Sequence, residues 1–300
     1  MEIGILVFSL PRDDFASGHE RLRSSVEALG HVAHVFYEPL LGFIQYENEI
    51  KISYDGKPLP QLDVLITRPG YIEEPGLHGH VVDLLKRAGY LVINSSEGTS
   101  FSKNKIAQHV VFSGVGIPMP RWGVAHSTTE AVHVAKSIGF PVVIKVPFGT
   151  WGAGVFFAPQ LEVLHTIAHY LSVRDRNPML IEEFIKEAEN SDIRVFVVGG
   201  KVIAAMQRTA RANDIRANTS IGGSGKFVEL GSDEIELAIR VVQIAGLEIA
   251  GVDIIRSARG PLILEINANP GFKEIEKVTG IDIAGAIISY ALTRISLTKM

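Results

Sequence analysis

The 300-residue sequence contains no cysteine. Disulfide bonds, thiolate nucleophiles and cysteine-ligated zinc are therefore excluded. Any catalysis by this chain has to depend on oxygen and nitrogen groups.

Long hydrophobic runs are also missing. The apolar opening segment Ile3–Phe8 is too short for the core of a signal sequence, and no basic run precedes it. No uninterrupted apolar stretch approaches the ~20 residues that a membrane-spanning helix needs. We therefore expect a cytoplasmic protein with no membrane partner, in which the opening segment is a buried strand.

A strong excess of charge of one sign is absent as well. The formal net charge is -4 and the basic residues are scattered along the chain, which argues against direct binding of nucleic acid. The hydrophobic fraction of 46% and the charged fraction of 21% are those of an ordinary globular protein. Because one domain typically has ~100–150 residues, the length predicts two or three compact domains.

Residues 1–95 alternate between strand and helix patterns, in the order of a small doubly wound α/β domain. No Gly-x-Gly-x-x-Gly motif follows the first strand, where Ser9-Leu10-Pro11-Arg12 stands instead, so a nicotinamide dinucleotide site is disfavoured. The apolar spacing predicts strands at Ile3–Phe8, Ala33–Phe36, Val64–Thr67 and Leu91–Ile93, and helices at Glu20–Leu29 and Gly79–Ala88.

The remainder of the chain predicts two α+β lobes, which gives an α/β fold class for the whole. Residues 96–178 contain the helices Lys103–Ser113 and Thr128–Ile138 and the strand Pro141–Val146. In residues 179–300 strands joined by tight turns predominate, with a hairpin predicted at Gly199-Gly200. The strands predicted there are Met179–Phe184, Arg194–Val198, Val202–Arg208, Gly251–Ile255 and Leu262–Ile266, covered by helices Asp233–Ala245 and Ile283–Ala291.

Asp253, Glu265 and Asn267 lie on two predicted strands joined by a turn at 257–260. With the turn centred near Arg259, Asp253 faces Glu265, and strand alternation puts Glu265 and Asn267 on one face. Two carboxylates and an amide oxygen so close together call for a hard cation, and Mg²⁺ with phosphate oxygens completing its shell fits. A solvated sheet face followed by an Asn-Pro-Gly turn is the alternative explanation.

Lys145 stands inside an apolar strand segment, 141–147. A buried ammonium needs a counter-charge. Directly after it come Gly149, Gly152 and Gly154, in a loop whose backbone amides could surround an anion. Together these features predict a triphosphate site, although a solvent-reaching lysine and an ordinary turn would explain each alone. The spacing differs from that of a P-loop.

The strand at 179–185 ends in two acids beside an aromatic residue. Its extended segment Glu182-Glu183-Phe184-Ile185 could offer backbone groups to an adenine edge and a carboxylate to a ribose hydroxyl. Paired acids at a strand end are also common on solvated surfaces, so both explanations stay open.

These motifs occur in a fixed order along nearly the whole chain. That order resembles the ATP-grasp fold and, more narrowly, the RimK-type α-L-glutamate ligases, a family known for adding glutamate to the C-terminus of small-subunit ribosomal protein six. The segments that carry the resemblance are Arg68-Pro-Gly, Lys105, Val-Ile-Lys145 with its glycine loop, Glu182-Glu183-Phe184-Ile185, Asp192-Ile-Arg194, Arg216-Ala-Asn218, Asp253, Glu265-Ile-Asn267-Ala-Asn-Pro-Gly and Thr279-Gly-Ile-Asp-Ile-Ala-Gly285.

The resemblance implies an N-terminal pre-ATP-grasp domain at 1–95, a small lobe with the glycine-rich loop at 96–178 and a C-terminal lobe with the metal site at 179–300. It implies ATP and Mg²⁺ as cofactors, with two ions and with Mn²⁺ able to substitute. The expected reaction is ADP-forming ligation of a carboxylate and an amine through an acyl phosphate, a chemistry of positioning and charge neutralisation. L-glutamate is the expected amine, and a C-terminal glutamate of a protein or peptide is the expected acceptor. We also expect a homo-oligomer.

The resemblance also assigns roles to individual residues. The nucleotide would be held by Lys105, Lys145, Gly149, Gly152 and Gly154 at its phosphates, by Glu182, Glu183, Phe184 and Ile185 at its adenine, and by Asp192 at its ribose. The metal ligands would be Asp253, Glu265 and Asn267. The carboxylate or acyl-phosphate end would be lined by Arg208, Arg216 and Asn218, because guanidinium groups suit oxyanions.

Two departures from the family pattern concern substrate specificity. Ile221 stands where the enteric glutamate ligases carry a basic residue, and Phe148 and Trp151 make the glycine loop bulkier. Two alternatives therefore stay open: a ligase that adds an amino acid to a small-molecule or carrier-peptide acceptor, and a nucleotide-binding module without turnover. The complete Asp253, Glu265 and Asn267 set argues against the second.

Overall fold

The computed structural model describes residues 1–9, 18–70, 76–149, 154–174, 176–211 and 223–298. Its first part contains β1 (Glu2–Val7), α1 (His19–Ala28), β2 (Val32–Tyr37), β3 (Leu41–Tyr46), β4 (Glu49–Tyr54), β5 (Lys57–Pro58), β6 (Val64–Arg68), α2 (Gly76–Arg87) and β7 (Val92–Ile93). Four of these strands form a parallel sheet in the order β2-β1-β6-β7. The doubly wound pattern predicted for this region is confirmed.

A second, antiparallel sheet in this region was not predicted. It consists of β3, β4 and β5 in that order, and most of its residues are exposed or half-buried. Because its strands carry few buried apolar residues, the hydrophobic pattern there is weak. Ile52 and Leu59 attach this sheet to the core beneath the parallel sheet.

The middle of the chain contains α3 (Ser96–Lys103), α4 (Lys105–Gly114), β8 (Trp122–Ala125), α5 (Thr128–Ile138), β9 (Val142–Lys145), β10 (Val155–Ala158), α6 (Leu161–Arg174) and β11 (Met179–Glu183). The helix predicted at Lys103–Ser113 is confirmed as α4, although it begins at Lys105, because the helical conformation is interrupted at Asn104; the separate helix α3 before it was not predicted. Asn104 has an extended backbone, and its Oδ1 caps α4 by accepting a bond from the Ala107 amide at 3.1 Å.

The sheet of this middle region has the order β10-β9-β11-β8. β11 pairs with β9 and β8 in antiparallel fashion. The sequence grouped β11 with the strands that follow it, and its hydrogen bonds place it instead with those that precede it. Predicted helix α5 and predicted strand β9 are confirmed.

The last region contains β12 (Ser191–Val198), β13 (Lys201–Thr209), β14 (Ser224–Phe227), α7 (Ser232–Ile244), β15 (Ile249–Ser257), β16 (Gly260–Asn267), α8 (Lys273–Thr279) and α9 (Ile283–Thr298). Its five strands form an antiparallel sheet in the order β14-β13-β12-β15-β16. Gly199 and Gly200 have φ of 57° and 73° and form the predicted turn between β12 and β13.

One apolar core joins the first and last regions. It contains Ile5 and Ile66 of the parallel sheet together with Phe196 of the antiparallel sheet, all at most 1% exposed. Ile287 of α9 is fully buried in the same cluster. The amino-terminal sheet and the carboxyl-terminal sheet are therefore packed against a common hydrophobic layer.

No single helix among the described residues is long and apolar enough to cross a membrane. Helices α8 and α9 together have the length and composition, with a bend of 111° at the break between them.

Asn94 ties the first region to the last by hydrogen bonds. Its side chain is buried, and its Nδ2 donates to the carbonyls of Ile249 and Ala268 at 2.8 and 3.2 Å. Its Oδ1 accepts from the amides of Glu248 and Ile249 at 2.7 and 2.9 Å. The amide group of Asn94 is thus bonded on both sides to backbone of the carboxyl-terminal sheet.

We expect Asn94→Ala to lower the free energy of unfolding by about 2–3 kcal/mol, because it leaves buried backbone groups without partners. Urea denaturation followed by circular dichroism measures the change. Asn104→Ala is the control, since it removes a helix cap worth about 1 kcal/mol. A loss at Asn94 no greater than the loss at Asn104 would contradict the role given to Asn94.

Candidate functional site

The predicted metal ligands lie on the hairpin of β15 and β16. Asp253 pairs with Glu265 in the strand register, as predicted. Asn267 is on the same face as Glu265, since its Nδ2 donates to Glu265 Oε1 at 3.2 Å. The hairpin therefore presents two carboxylates and an amide at one end of the antiparallel sheet.

Two arginines hold the Asp253 carboxylate. Arg194, its partner on β12, donates from Nε to Oδ1 and from Nη2 to Oδ2 at 2.9 Å. Arg208 Nη2 lies 2.9 Å from Oδ2, and Arg208 also donates to both oxygens of Asp192 at 2.6 and 2.8 Å. Asp192, Arg208, Asp253 and Arg194 form a buried chain of opposite charges, which we call the four-residue charge network.

Electrostatics differ between the members of this network. Burial raises the pKa of the Asp192 carboxyl, and the attraction of Arg208 offsets only part of that rise. Burial lowers the pKa of Arg208, but the Asp192 and Asp253 carboxylates outweigh it, so the pKa of Arg208 is raised. Arg208 is therefore a permanent cation between two acids, as a buried charge requires.

Glu265 contacts one lysine and is attracted by a second from another element. Lys105 Nζ, at the start of α4, lies 3.5 Å from Glu265 Oε2 and donates to the Gly149 carbonyl at 3.2 Å. Burial raises the pKa of Glu265, but attraction to Lys105 and Lys145 and the bond from Asn267 lower it to about 2. Glu265 is thus an anion held in a cationic cleft.

Lys145 is buried, as its apolar strand indicates, and its counter-charge is a carboxylate. Its Nζ lies 2.6 Å from Glu182 Oε2 on the neighbouring strand β11. Burial raises the pKa of Glu182, but attraction to Lys145 and His109 outweighs it and lowers the pKa to about 2. The Glu182 side chain is therefore an internal partner of the lysine and points away from solvent.

The adjoining residues of β11 have different surroundings. The Glu183 carboxylate accepts from Arg121 Nη2 at 3.1 Å and from Arg259 Nη2 at 2.6 Å. Phe184 packs on Phe157 with ring centroids 4.9 Å apart. Ile185, the last residue of the segment predicted to border the adenine, is buried.

The glycine loop is described only at its ends. Gly154 has a φ of 77°, and an added Cβ there would overlap the Val146 side chain, so the position requires glycine. Gly152, Trp151, Arg216, Asn218 and Ile221 lie outside the described residues.

Three residues of the site carried no predicted role. Arg194 alternates with Asp192 on β12, a period-2 signal that could have placed both on one face. Gln108 donates to the Ile266 carbonyl at 3.2 Å and accepts from the Ile266 amide at 2.9 Å, which fixes the backbone between Glu265 and Asn267. His109 approaches Glu182. A helical Gln-His pair gives no sequence signal for either role.

We expect the stabilising effect of Glu183 to disappear in acid. Burial raises the pKa of Glu183, but the bonds from Arg121 and Arg259 outweigh it and lower the pKa to about 2. A depressed carboxyl pKa stabilises the fold above the unfolded value of 4.5 and loses that effect as pH falls toward about 2.

The measurement is the free energy of unfolding of the wild type and of Glu183→Gln, at pH values from 7 down to about 2. The wild type should be the more stable protein near neutral pH, and the gap should close on acidification. Glu236→Gln, which removes an exposed carboxylate on α7, is the control. A gap independent of pH would show that the charge of Glu183 is not responsible.

The oxygen donors at the hairpin suit a hard cation. Among the described residues, no three carboxylate, histidine or cysteine side chains converge on one point, so a cation there would take Asp253, Glu265 and Asn267 together with oxygens of a substrate. Asp253 uses three of its ~four acceptor positions on arginines and retains one. Glu265 is still 26% exposed. The buried Asn269 Oδ1, two residues beyond Asn267, has no donor among the described residues.

Solved structures identify the fold of this protein. It is similar to the ATP-grasp ligase PsnB in complex with a minimal precursor, with a TM-score of 0.74, 20% identity and coverage of 97% of this chain and 98% of the other. It is also similar to D-alanyl-alanine synthetase A from Vibrio cholerae, with a TM-score of 0.74, 14% identity and coverage of 99% and 98%. The fold is that of the ATP-grasp enzymes.

Sequence relatives specify the family within that class. The model of the RimK-like ATP-grasp domain matches residues 102–291. A probable alpha-L-glutamate ligase of Vibrio vulnificus is 36% identical over 284 residues, 94% of this chain and 93% of that one. A ribosomal protein bS6--L-glutamate ligase of Salmonella paratyphi B is 34% identical over 285 residues, again 94% and 93%.

The chain belongs to the RimK-like ATP-grasp family and is an ATP-dependent, amide-forming ligase. The sequence prediction of the fold and of the enzyme class is confirmed.

Proposed function

We propose that this enzyme uses ATP and Mg²⁺ to join the amine of L-glutamate to the C-terminal glutamate of a protein or peptide. Relatives that are 34–36% identical over 94% of the chain carry glutamate ligase names, which supports glutamate as a substrate. The observation that carries the proposal is the placement of Lys105 Nζ 3.5 Å from Glu265 Oε2 of the hairpin, with Lys145 on the neighbouring sheet adding its attraction to the same carboxylate. The lysines would neutralise the negative charge of a nucleotide triphosphate, and the acidic groups would suit the divalent cation that it carries.

The nucleotide would lie between the β9–β11 sheet and the hairpin. Lys105 and Lys145 would contact its phosphates, together with the amides of the glycine loop. The backbone of Glu183, Phe184 and Ile185 would border the adenine; the Glu182 side chain faces Lys145 instead. Asp192 would reach the ribose with an oxygen that also accepts from Arg208. The division into three domains is part of the same proposal, with the first boundary at 95 as predicted; the pairing of β11 with β9 and β8 moves the second boundary from 178 to beyond Glu183.

In the reaction, a carboxylate oxygen of the acceptor attacks the γ-phosphorus of ATP and ADP leaves. The amine then attacks the acyl carbon, phosphate departs with the C–O electron pair, and the nitrogen loses a proton, which leaves an amide. Mg²⁺ held by Asp253, Glu265 and Asn267 would neutralise charge on the transferring phosphoryl group. Arg208, as a member of the four-residue charge network, would stabilise the Asp253 carboxylate beside the ion. Arg216 and Asn218 are proposed at the acyl-phosphate end.

The test is a reaction mixture of enzyme, ATP, Mg²⁺, L-glutamate and a peptide ending in glutamate. Mass spectrometry should show peptide lengthened by glutamyl residues, with one ADP released for each amide bond. The matched control is the same peptide with an amidated C-terminus, which has no carboxylate at that position. Lengthening of the amidated peptide, or ADP release without product, would refute the proposed acceptor.

Other outcomes identify the alternatives. ADP release that needs glutamate but not the peptide would indicate a small-molecule acceptor. ATP binding without any ADP release would indicate a nucleotide-binding module without turnover. Mn²⁺ in place of Mg²⁺ should support the reaction, because it accepts the same oxygen ligands. Two metal ions, a homo-oligomeric state and a cytoplasmic location stay predictions.

A further inference from the structure

A buried histidine lies behind the lysine of the nucleotide site. His109, on α4, has no exposed surface, and its Nε2 is 2.8 Å from Glu182 Oε1. The second oxygen of that carboxylate is 2.6 Å from Lys145 Nζ. A single carboxylate is therefore held between an imidazole on one oxygen and the lysine ammonium on the other.

The other side of the imidazole is fixed as well. His109 Nδ1 donates to the Lys105 carbonyl at 2.7 Å, one turn back on the same helix. The Trp122 ring packs edge-on against the imidazole, with centroids 5.4 Å apart. His109 is therefore hydrogen-bonded within α4 and in contact with Glu182 of β11.

The contact with Glu182 is electrostatic in character. With Nδ1 donating to the Lys105 carbonyl, the 2.8 Å approach of Nε2 to Oε1 is attractive when Nε2 also carries a proton, and neither atom has another partner among the described residues. Both atoms are shielded from water, because Glu182 is 2% exposed. A buried carboxylate with nothing at one oxygen would be strongly disfavoured or would reorient. His109 therefore restricts the position of Glu182.

We propose that His109 is a positioning residue of this ligase, which holds the Lys145 ammonium at the nucleotide phosphates through the Glu182 carboxylate. The inference rests on the proposed nucleotide site at Lys145. His109 touches no substrate in this arrangement; it acts by fixing the partner of a residue that does. Since the imidazole is anchored to the Lys105 carbonyl, both phosphate lysines depend on the first turn of α4.

Two substitutions separate the two contacts of the imidazole. In His109→Gln the amide nitrogen can occupy the place of Nε2 and approach Glu182, whereas in His109→Asn it can occupy the place of Nδ1 and bond the Lys105 carbonyl. We expect His109→Asn to weaken binding of the non-hydrolysable analogue AMPPNP with Mg²⁺ by about tenfold, the scale of a lost contact to a charged group. His109→Gln should change it by less than about threefold.

Isothermal titration of each variant with AMPPNP and with adenosine gives the decisive comparison. Adenosine has no phosphate, so its affinity should be unchanged in His109→Asn if only the lysine is displaced. Thermal unfolding of both variants reports packing losses, and these should be similar for the two. In turnover assays, KM for ATP should rise more than kcat falls in His109→Asn, and His109→Gln should restore both.

Several results would overturn the inference: equal weakening of AMPPNP and adenosine, equal effects of the two substitutions, or no effect of His109→Asn. Wild-type enzyme that binds no AMPPNP would overturn both this inference and the proposed function. Wild-type enzyme that binds AMPPNP but adds no glutamate to the peptide would refute the proposed substrate alone, and the variant comparison would still decide the role of His109.

Discussion

Glu265→Gln is expected to lower the turnover number by about two to three orders of magnitude, the usual loss when one electrostatic group at a phosphoryl-transfer or acyl-transfer site is removed. Glu265 is an anion in contact with Lys105 and Asn267, and its neutral amide analogue has nearly the same shape. Charge neutralisation at the transferring phosphoryl group is therefore lost while the hairpin is retained. The measurement is ADP release at saturating ATP, Mg²⁺ and glutamate.

Glu236→Gln is the matched control, because it removes a carboxylate from an exposed position on α7. It should leave turnover unchanged. Asp253→Asn should also reduce turnover, but it removes the partner of two buried arginines, so its stability has to be measured beside its activity. Near-normal turnover of Glu265→Gln at saturating Mg²⁺ would refute the metal assignment.

Arg208→Met is expected to destabilise the fold by about 3–5 kcal/mol, the cost of leaving a buried charge uncompensated. Arg208 separates Asp192 from Asp253, and its side chain is 4% exposed. The methionine fills similar space but leaves two acids facing each other with fewer cations. Guanidinium denaturation measures the loss, and protonation of the acids should reduce it at low pH.

Arg23→Met serves as the comparison for that substitution. Arg23 makes two ion pairs on α1, with Glu20 and Glu27, and its side chain is 47% exposed. Surface pairs of this kind contribute about 0–1 kcal/mol. If the two variants lost similar stability, the four-residue charge network would be no more than a set of ordinary surface pairs.

The elements of the fold were predictable where the hydrophobic period was strong. β1 is buried at every position after the first, and helix α5 has both a Ser127 cap and a regular apolar face. The β3–β5 sheet has neither feature, since it lies at the surface. The sheet membership of β11 was not predictable, because pairing between distant strands depends on tertiary packing that a local pattern does not encode.

In the candidate site, too, individual residues were predictable from local sequence, whereas their partners on distant strands were not. The pairing of Asp253 with Glu265 was predicted from a turn centred near Arg259. The observed turn pairs Ser257 with Gly260 and would by itself place Asp253 opposite Leu264; a register shift between Asp253 and Ile254 moves the pairing to Glu265, and no local pattern indicates that shift. The pairing of Lys145 with Glu182, and of Arg194 with Asp253, joins strands that are far apart in sequence. Residue spacing indicated that Lys145 needed a counter-charge but could not say which acid supplies it.

The hydrophobic layer shared by the two outer sheets limits how enzymes of this kind can be recombined. Ile5 and Ile66 from the first region pack in one cluster with Phe196 and Ile287 from the last, and Asn94 adds backbone bonds across the same boundary. An amino-terminal region transplanted from another ligase would bring apolar side chains of the wrong shape to this layer. Chimeras meant to alter acceptor choice should therefore exchange surface loops, or should carry α9 along with the transplanted region.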